Sequence, residues 1–186
     1  MSTNTKTAPD ANVIKLKNVR LSYPQLFTAK AIEAGKDPKF SATFLLDKKT
    51  HAPLIGQIEK AIERVSLDFF KKKVKHARQL LRDGSEKDET EGYDDDVMFL
   101  AASSTRKPVV VDKDLTELGP QDGRPYAGCY VNATIRLFAY DHEKGGKGVS
   151  ADLRGVQFFR DGDSFGAAPV NAEEEFDAVT EDVDSY

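Results

Sequence analysis

Apolar and polar residues alternate most regularly over residues 129–140, and this pattern predicts a β-strand. One face is small or apolar at every position, with Cys129, Val131, Ala133, Ile135, Leu137 and Ala139. The opposite face carries Tyr130, Asn132, Thr134, Arg136, Phe138 and Tyr140. Rings and a cation suit unstacked nucleic-acid bases, each of which gains ~1–3 kcal/mol by stacking. A second layer of protein covering the rings explains the same pattern, so the strand alone leaves both interpretations open.

Similar alternation predicts five further strands, over residues 13–23, 39–46, 97–101, 108–111 and 149–160. In the first of these, the apolar residues change parity near Lys17 and Asn18, which predicts a β-bulge. In the last, the change falls at Gly155 and predicts a second bulge. The first bulge keeps the apolar residues on the core and turns these residues outward: Lys15, Lys17, Arg20 and Ser22.

Residues 50–82 show the periodicity of a helix. Thr50 is the predicted N-cap, and the apolar positions that follow it are Leu54, Ile58, Ile62, Val65, Phe69, Val74, Ala77 and Leu81. Seven basic residues gather toward the end: Lys71, Lys72, Lys73, Lys75, His76, Arg78 and Arg82. The helix dipole favours cations in the last turn, but seven exceed that need. A solvated helix face is the alternative to a functional one.

These elements predict a mainly β fold with one or two helices (α+β). The closest architecture is an OB-fold-like antiparallel barrel of five to six strands with a helical insertion at about 50–82. A β-sandwich is the alternative. The predicted domain spans residues 13–168 and contains an acidic loop over 83–96, whereas residues 1–12 and 169–186 are expected to be disordered.

Charge is distributed unevenly along the chain, whose net value is −4. Residues 171–186 contain seven acids and no Lys or Arg, and the rest of the chain holds 27 basic and 24 acidic residues. The loop over 83–96 concentrates eight further acids against the single Lys87. A basic body with segregated acid is compatible with a polyanionic partner.

The composition favours a soluble protein that is not an enzyme. The single cysteine forms no intramolecular disulfide, and no apolar run approaches the ~18 residues of a membrane span. The three histidines lack metal-ligand spacing, and no phosphate-cradling glycine motif occurs. We therefore expect no catalytic residue, cofactor, metal or membrane partner. Two alternatives stay open: a metal-dependent nuclease using Asp112 and Asp114, and an interaction adaptor acting through the acidic C-terminal residues.

Outward cations and rings on several predicted strands are the candidate nucleic-acid-binding residues. A groove lined by both binds strand backbone by charge and bases by stacking, with little sequence preference. The set comprises Lys15, Lys17, Arg20, Lys39, Tyr126, Tyr130, Arg136, Phe138, Tyr140, Arg154 and Phe159. Arg136 is the strongest candidate, because an unpaired guanidinium is far costlier to bury than a ring.

The acidic C-terminal residues also include apolar ones, a composition typical of segments that dock onto partners. The predicted partner-binding residues are Glu173, Glu174, Glu175, Phe176, Asp177, Glu181, Asp182, Asp184 and Tyr186. Occupation of the basic groove by this tail until nucleic acid displaces it is a further possibility. A generic solubilising tail is the alternative to both.

Several segments resemble the bacteriophage single-stranded DNA-binding proteins once catalogued as a domain of unknown function. They are residues 19–24 with Leu26 and Phe27, residues 40–46, residues 126–133, and Leu153, Val156, Gln157, Phe158, Asp161, Gly162, Phe165 and Gly166. The resemblance covers about residues 13 to 168. It implies an OB-fold core, binding of single-stranded DNA in phage replication or recombination, and an acidic tail that contacts replication proteins.

The function predicted from these observations is that of a non-enzymatic phage protein that coats and protects single-stranded DNA without sequence preference. Its expected location is the cytoplasm of the infected bacterial host. The expected partners are single-stranded DNA and phage or host replication proteins bound through the tail. Association into a homo-oligomer stays open.

Overall fold

Seven strands form a single sheet in the computed structural model, which describes residues 10–31 and 33–166. They are β1 (Val13–Lys30), β2 (Lys39–Asp47), β3 (Leu81–Asp83), β4 (Val97–Ser104), β5 (Val109–Val111), β6 (Tyr130–His142) and β7 (Gly146–Arg160). One α-helix, α1 (Ala52–Phe70), lies between β2 and β3, and two 3-10 helices span Gly84–Lys87 and Pro120–Asp122. The predicted tail contacts and the extreme N-terminus lie outside the described residues.

Five of the strands close into a barrel. β1 pairs antiparallel with β2 and β6, β2 with β4, and β6 with β7. A parallel bridge between Ser103 and Asp152 joins β4 to β7 and completes the ring. The structure therefore confirms the OB-fold-like barrel over the β-sandwich. It is not purely antiparallel, because β5 also runs parallel to β7 beside the barrel.

The barrel interior is the hydrophobic core, and α1 packs against it. The apolar face predicted for residues 129–140 lies inside, with Val131, Ile135 and Leu137 fully buried. Ile58, Ala61 and Val65 of α1 join the same core cluster, which includes Phe44 and Leu100. Burial of this helical stripe explains why the periodicity of residues 54–65 predicts the helix correctly.

The helix is shorter than predicted. Its N-cap is His51 rather than Thr50, and it ends at Phe70 rather than at residue 82. Lys71 adopts a left-handed conformation and donates its backbone N–H to Leu67, which terminates the helix. Continuing the helix would align Lys71 and Lys75 one turn apart, where like charges repel. Residues 71–80 are irregular, and β3 follows them.

Both predicted bulges are present. The β1–β6 register shifts between Leu16 and Val19, and Asn18 there has a φ of 53°. The β6–β7 register shifts between Thr134 and Ile135, which leaves Arg154, next to Gly155, without a partner in β6. One prediction for β1 was wrong, because Ser22 is buried rather than turned outward. β1 bends again after Ser22, and Tyr93 packs over it. The Tyr93 hydroxyl donates a hydrogen bond to Ser22 Oγ at 2.9 Å.

Within the described residues, α1 is the one α-helix, and it does not combine the length and the apolar composition needed to cross a lipid bilayer.

Candidate nucleic-acid interface

The outer face of β6 is open to solvent. Arg136, Phe138 and His142 are exposed, Phe138 at 40%, and the other outward residues of the strand are half-buried. The exposure of Arg136 and Phe138 shows that no second layer of the described chain covers this part of the face, as a binding surface requires, whereas Tyr130 lies beneath Arg160. Which of the outward rings contact a ligand stays a prediction.

A groove of about 620 Å³ crosses this outer face between β1 and β5. Lys15 and Lys17 of β1 line one side, and Arg154 of β7 projects from the bulge. We refer to this feature as the groove, and its remaining lining residues are Val13, Leu16, Val109, Val111, Leu115, Asn132, Ala133, Thr134, Gly155, Val156 and Gln157. Three of the eleven candidate binding residues, all cations, therefore come together here.

The two bulges place two of these cations, Lys17 and Arg154. Lys15 lies opposite Thr134 in the β1–β6 register, and Lys17 lies within the bulge just beyond it. Thr134 lies opposite Gly155 on its other side, while Arg154 is the extra residue of β7. A bulge bends its strand and redirects side chains, so the residues that break the alternation in sequence are the ones that bring positive charge to the groove.

Two amide side chains on the groove floor are bonded to the protein itself. Asn132 Oδ1 accepts the Asn18 backbone N–H at 3.0 Å, and Asn132 Nδ2 donates to Gln157 Oε1 at 3.0 Å. Gln157 Nε2 in turn donates to the Lys113 carbonyl at 3.3 Å. Because these groups are committed internally, the groove offers charge and apolar surface more readily than hydrogen bonds to base edges.

The opposite side of the groove is apolar, and sequence reasoning missed it. Leu115 is 72% exposed and Val109 is 64% exposed. Leu115 also has a φ of 71°, which costs a branched residue more than it would glycine. It sits in a turn closed by its own N–H on the Asp112 carbonyl and by Thr116 N–H on Asp114 Oδ1. In the sequence, the signal for this exposed apolar residue was a leucine placed between the turn residues Asp114 and Thr116.

Three predicted ligand residues are instead engaged within the protein. Arg20 donates from Nε to the Gly128 carbonyl at 3.0 Å and from Nη2 to the Asp163 carbonyl at 2.8 Å, with its guanidinium 4.2 Å from the Phe165 ring centre. The Tyr130 ring lies 3.7 Å beneath the Arg160 guanidinium. The Tyr126 hydroxyl donates to Asp161 Oδ1 at 2.7 Å, and burial together with this carboxylate raises the pKa of the phenol.

These contacts border a compact group of rings outside the barrel, called here the aromatic cluster: Tyr23, Tyr93, Phe99 and Phe165 with Leu45. Lys87 Nζ lies 5.2 to 6.0 Å from three of the ring centres. Residues 161–166 hold Phe165 against the cluster, since its N–H bonds to the Ala127 carbonyl and Gly166 N–H bonds to Glu91. The cluster is therefore a second, smaller packed region.

The other candidates are dispersed. Arg136 pairs with Asp10 at 2.9 Å, and the pKa of that carboxyl is lowered first by the Asn12 N–H and then by Arg136. Tyr140 stacks on His142 with ring centres 5.3 Å apart, toward the end of β6 beyond Phe138. Lys39, at the start of β2, and Phe159, near the end of β7, are exposed but do not line the groove.

The carboxylates considered for a nuclease are engaged in turns and pairing. Asp112 Oδ2 accepts two bonds from Arg124, at 2.6 and 3.1 Å, and this guanidinium lowers the pKa of the carboxyl. Asp114 Oδ1 accepts the Thr116 N–H. Asp112 Oδ2 is thus already paired with the Arg124 guanidinium. Cys129 is buried, which raises the pKa of its thiol to about 11 and keeps it protonated.

Residues 12–186 match the family model described as the Enterobacter phage Enc34 ssDNA-binding protein. A curated relative, putative protein p50 of Acyrthosiphon pisum secondary endosymbiont phage 1, is 43% identical over 177 residues, which cover 90% of this chain and 94% of the relative.

Solved structures give the same result. The single-stranded DNA-binding protein from bacteriophage Enc34 in complex with ssDNA superposes with a TM-score of 0.76 at 28% identity, covering 84% of this chain and 90% of that one. The single-stranded DNA-binding protein gp2.5 of bacteriophage T7 superposes with a TM-score of 0.55 at 12% identity, covering 90% of this chain and 98% of that one. The second likeness concerns the fold alone.

Proposed function

The chain belongs to the family of the Enterobacter phage Enc34 ssDNA-binding protein, and from this membership we propose that it binds single-stranded DNA without sequence preference. The groove is its principal contact. Its role in the phage is to coat exposed strands during replication, recombination or repair, in the cytoplasm of the infected host. A coated strand is shielded from nucleases, and hairpins open because the protein binds the unpaired state more tightly.

The observation that carries this proposal is that Lys15, Lys17 and Arg154 all line one groove, which also has an apolar side formed by Leu115 and Val109. Phosphates bind to such cations, and bases unpaired from a partner strand can lie on apolar surface. A duplex offers phosphates but no exposed base faces. The apolar side of the groove, formed by Leu115 and Val109, therefore favours the single strand over the duplex.

Lack of sequence preference follows from the groove floor. Asn132 and Gln157 are the residue types that read base edges, yet each is hydrogen-bonded within the protein. Using them for readout would break those bonds. Charge and stacking act on any base, so we expect similar affinities for oligonucleotides of different sequence.

The acidic residues 171–186 are proposed to recruit phage or host replication proteins. The support is their composition, in which Phe176, Val179, Val183 and Tyr186 interrupt seven acids. Apolar residues of this kind give a docking partner contacts that a purely solubilising tail would lack.

One binding series tests the proposed function. The full chain is titrated against labelled single-stranded and duplex DNA of equal length, each with and without magnesium. We expect tight binding to the single strand, weaker binding to the duplex, and intact DNA in every lane.

Magnesium-dependent shortening of the DNA would support the nuclease alternative. Absence of binding to any DNA would instead favour an adaptor working through the tail. Either result would contradict the proposal.

A further inference from the structure

The segment that follows α1 is the most cationic exposed stretch of the described chain. Lys71, Lys72, Lys73, Lys75 and Arg78 are all exposed, and we call residues 71–78 the basic segment. Within residues 10–31 and 33–166, none of the five has a carboxylate oxygen within 4.0 Å. Helix-dipole stabilisation accounts for Lys71, the C-cap of α1, but does not explain the cations that follow, because the segment beyond it is not helical.

The basic segment is fixed to the barrel at a defined place. Ala77 donates its backbone N–H to the Lys147 carbonyl at 2.8 Å, and the His76 ring bonds to Ser66 Oγ at 2.9 Å. A Cβ added to Gly146 would lie 2.7 Å from the Ala77 Cβ, so the two backbones are in close contact. The backbone of the basic segment is therefore fixed against the tip of the β6–β7 hairpin.

That hairpin tip is where the outer face of β6 ends. From Thr134 on the groove floor, the face continues through Arg136 and the exposed Phe138 to the stacked pair of Tyr140 and His142. Eight residue steps of a strand span about 27 Å. Rings and a cation thus occupy the interval between the groove at one end and the basic segment at the other.

Exposed apolar surface accompanies the basic segment. Phe69 is 57% exposed and Leu67 is 37% exposed, whereas Ile58, Ala61 and Val65 of the same helix are buried. Phe69 is held edge-on against Phe70 at 4.9 Å, and Lys147 Nζ lies 5.5 Å from the Phe70 ring. Cations beside an exposed ring form the combination that binds phosphates and bases of a single strand.

We propose that a single strand seated in the groove continues along the outer face of β6 to a second contact region on the basic segment. This inference rests on the proposed function and extends the same site. The lysines and Arg78 bind the sugar-phosphate backbone, while Phe138, Tyr140 and Phe69 offer ring surfaces to the bases. A short oligonucleotide fills the groove alone, and a longer one reaches both regions.

The test compares oligothymidines of about 6 and about 20 nucleotides, one near the lower end of the usual range of about 4–16 nucleotides for one OB-fold and one beyond its upper end. The variant is Lys72→Gln, Lys73→Gln and Lys75→Gln combined. The matched control is Lys30→Gln, Lys49→Gln and Lys60→Gln, which removes the same charge from exposed positions outside both regions. Thermal unfolding verifies that both proteins are folded.

We expect the segment variant to bind the short oligonucleotide like the unmodified protein and the long one about fivefold to tenfold more weakly. On the long strand, the slope of log affinity against log salt should fall by about 2, from three phosphate contacts of about 0.7 each. The control should reproduce the unmodified values at both lengths.

Unchanged affinity and slope on the long strand would overturn the extended path, and so would equal losses at both lengths. The segment variant could instead lose binding to a peptide of residues 171–186 while its DNA binding stays unchanged. That result would assign the basic segment to an acidic protein ligand and would also overturn the extended DNA path. The unmodified protein distinguishes the two proposals: if it binds neither oligonucleotide, the proposed function itself fails.

Discussion

The groove and the aromatic cluster are both built from outward-facing cations and apolar side chains, but they use them differently. In the groove, Lys15, Lys17 and Arg154 line an open cleft beside exposed Leu115. Around the cluster, Arg20 is bound by two carbonyls and a ring, and Lys87 lies among three rings. A cation on the outer face is thus available to a ligand only where the chain does not fold back over it.

The largest expected contrast comes from two arginines. Arg20→Gln should destabilise the fold by about 1–2 kcal/mol, because it leaves carbonyls at Gly128 and Asp163 without their charged donor. Arg154→Gln should leave stability within about 0.5 kcal/mol, since this exposed side chain sits on the groove. Chemical denaturation and an oligothymidine titration, performed on both, measure the contrast.

DNA affinity should respond in the opposite order, falling for Arg154→Gln and staying nearly constant for Arg20→Gln. If Arg20→Gln weakened binding as much as Arg154→Gln at unchanged stability, the distinction between the two regions would be wrong.

A smaller effect is expected at the apolar side of the groove. Leu115→Gly relieves a φ of 71° and should raise stability by up to about 1 kcal/mol. The same change removes exposed apolar surface from the groove, so affinity for single-stranded DNA should fall about twofold to fivefold. Thermal unfolding and DNA titration are measured on one preparation. A variant that binds DNA as tightly as the unmodified protein would show that Leu115 does not contact the strand.

The smallest effect concerns Arg136, which pairs with Asp10. Asp10→Asn removes the charge that competes with phosphate for this guanidinium, and we expect about twofold to threefold tighter binding at low salt. The gain should disappear as salt is raised, because exposed charges are screened. Glu59→Gln, which neutralises an exposed acid on α1 outside both proposed contact regions, serves as the charge-matched control. An equal gain in the control would indicate a general field effect rather than release of Arg136.

The sequence was sufficient for the barrel and for much of the groove. Alternation of period two located every described strand except β3, whose residues fall at the end of the predicted helix and the start of the predicted acidic loop. The two breaks in that alternation located the bulges that place Lys17 and Arg154. Local patterns carry this information, because side-chain parity follows directly from strand geometry.

Long-range contacts could not be predicted from the sequence. Arg20 meets carbonyls 108 and 143 residues away, so its internal engagement depended on the path of residues 161–166 across the barrel. The residue at which α1 ends depends on the left-handed conformation of Lys71, which the apolar periodicity of the sequence does not indicate. Leu115 was missed because its exposure follows from a turn conformation rather than from a repeating pattern.

The most direct test of the groove is the salt dependence of binding for Lys15→Gln, Lys17→Gln and Arg154→Gln combined. Each phosphate contact on a single strand contributes about 0.7 to the slope of log affinity against log salt. We therefore predict a slope smaller by about 2, while the variant with Lys30, Lys49 and Lys60 changed to Gln keeps the full slope. A groove variant that is folded and retains the unmodified slope would contradict the assignment of the groove as the DNA-binding site.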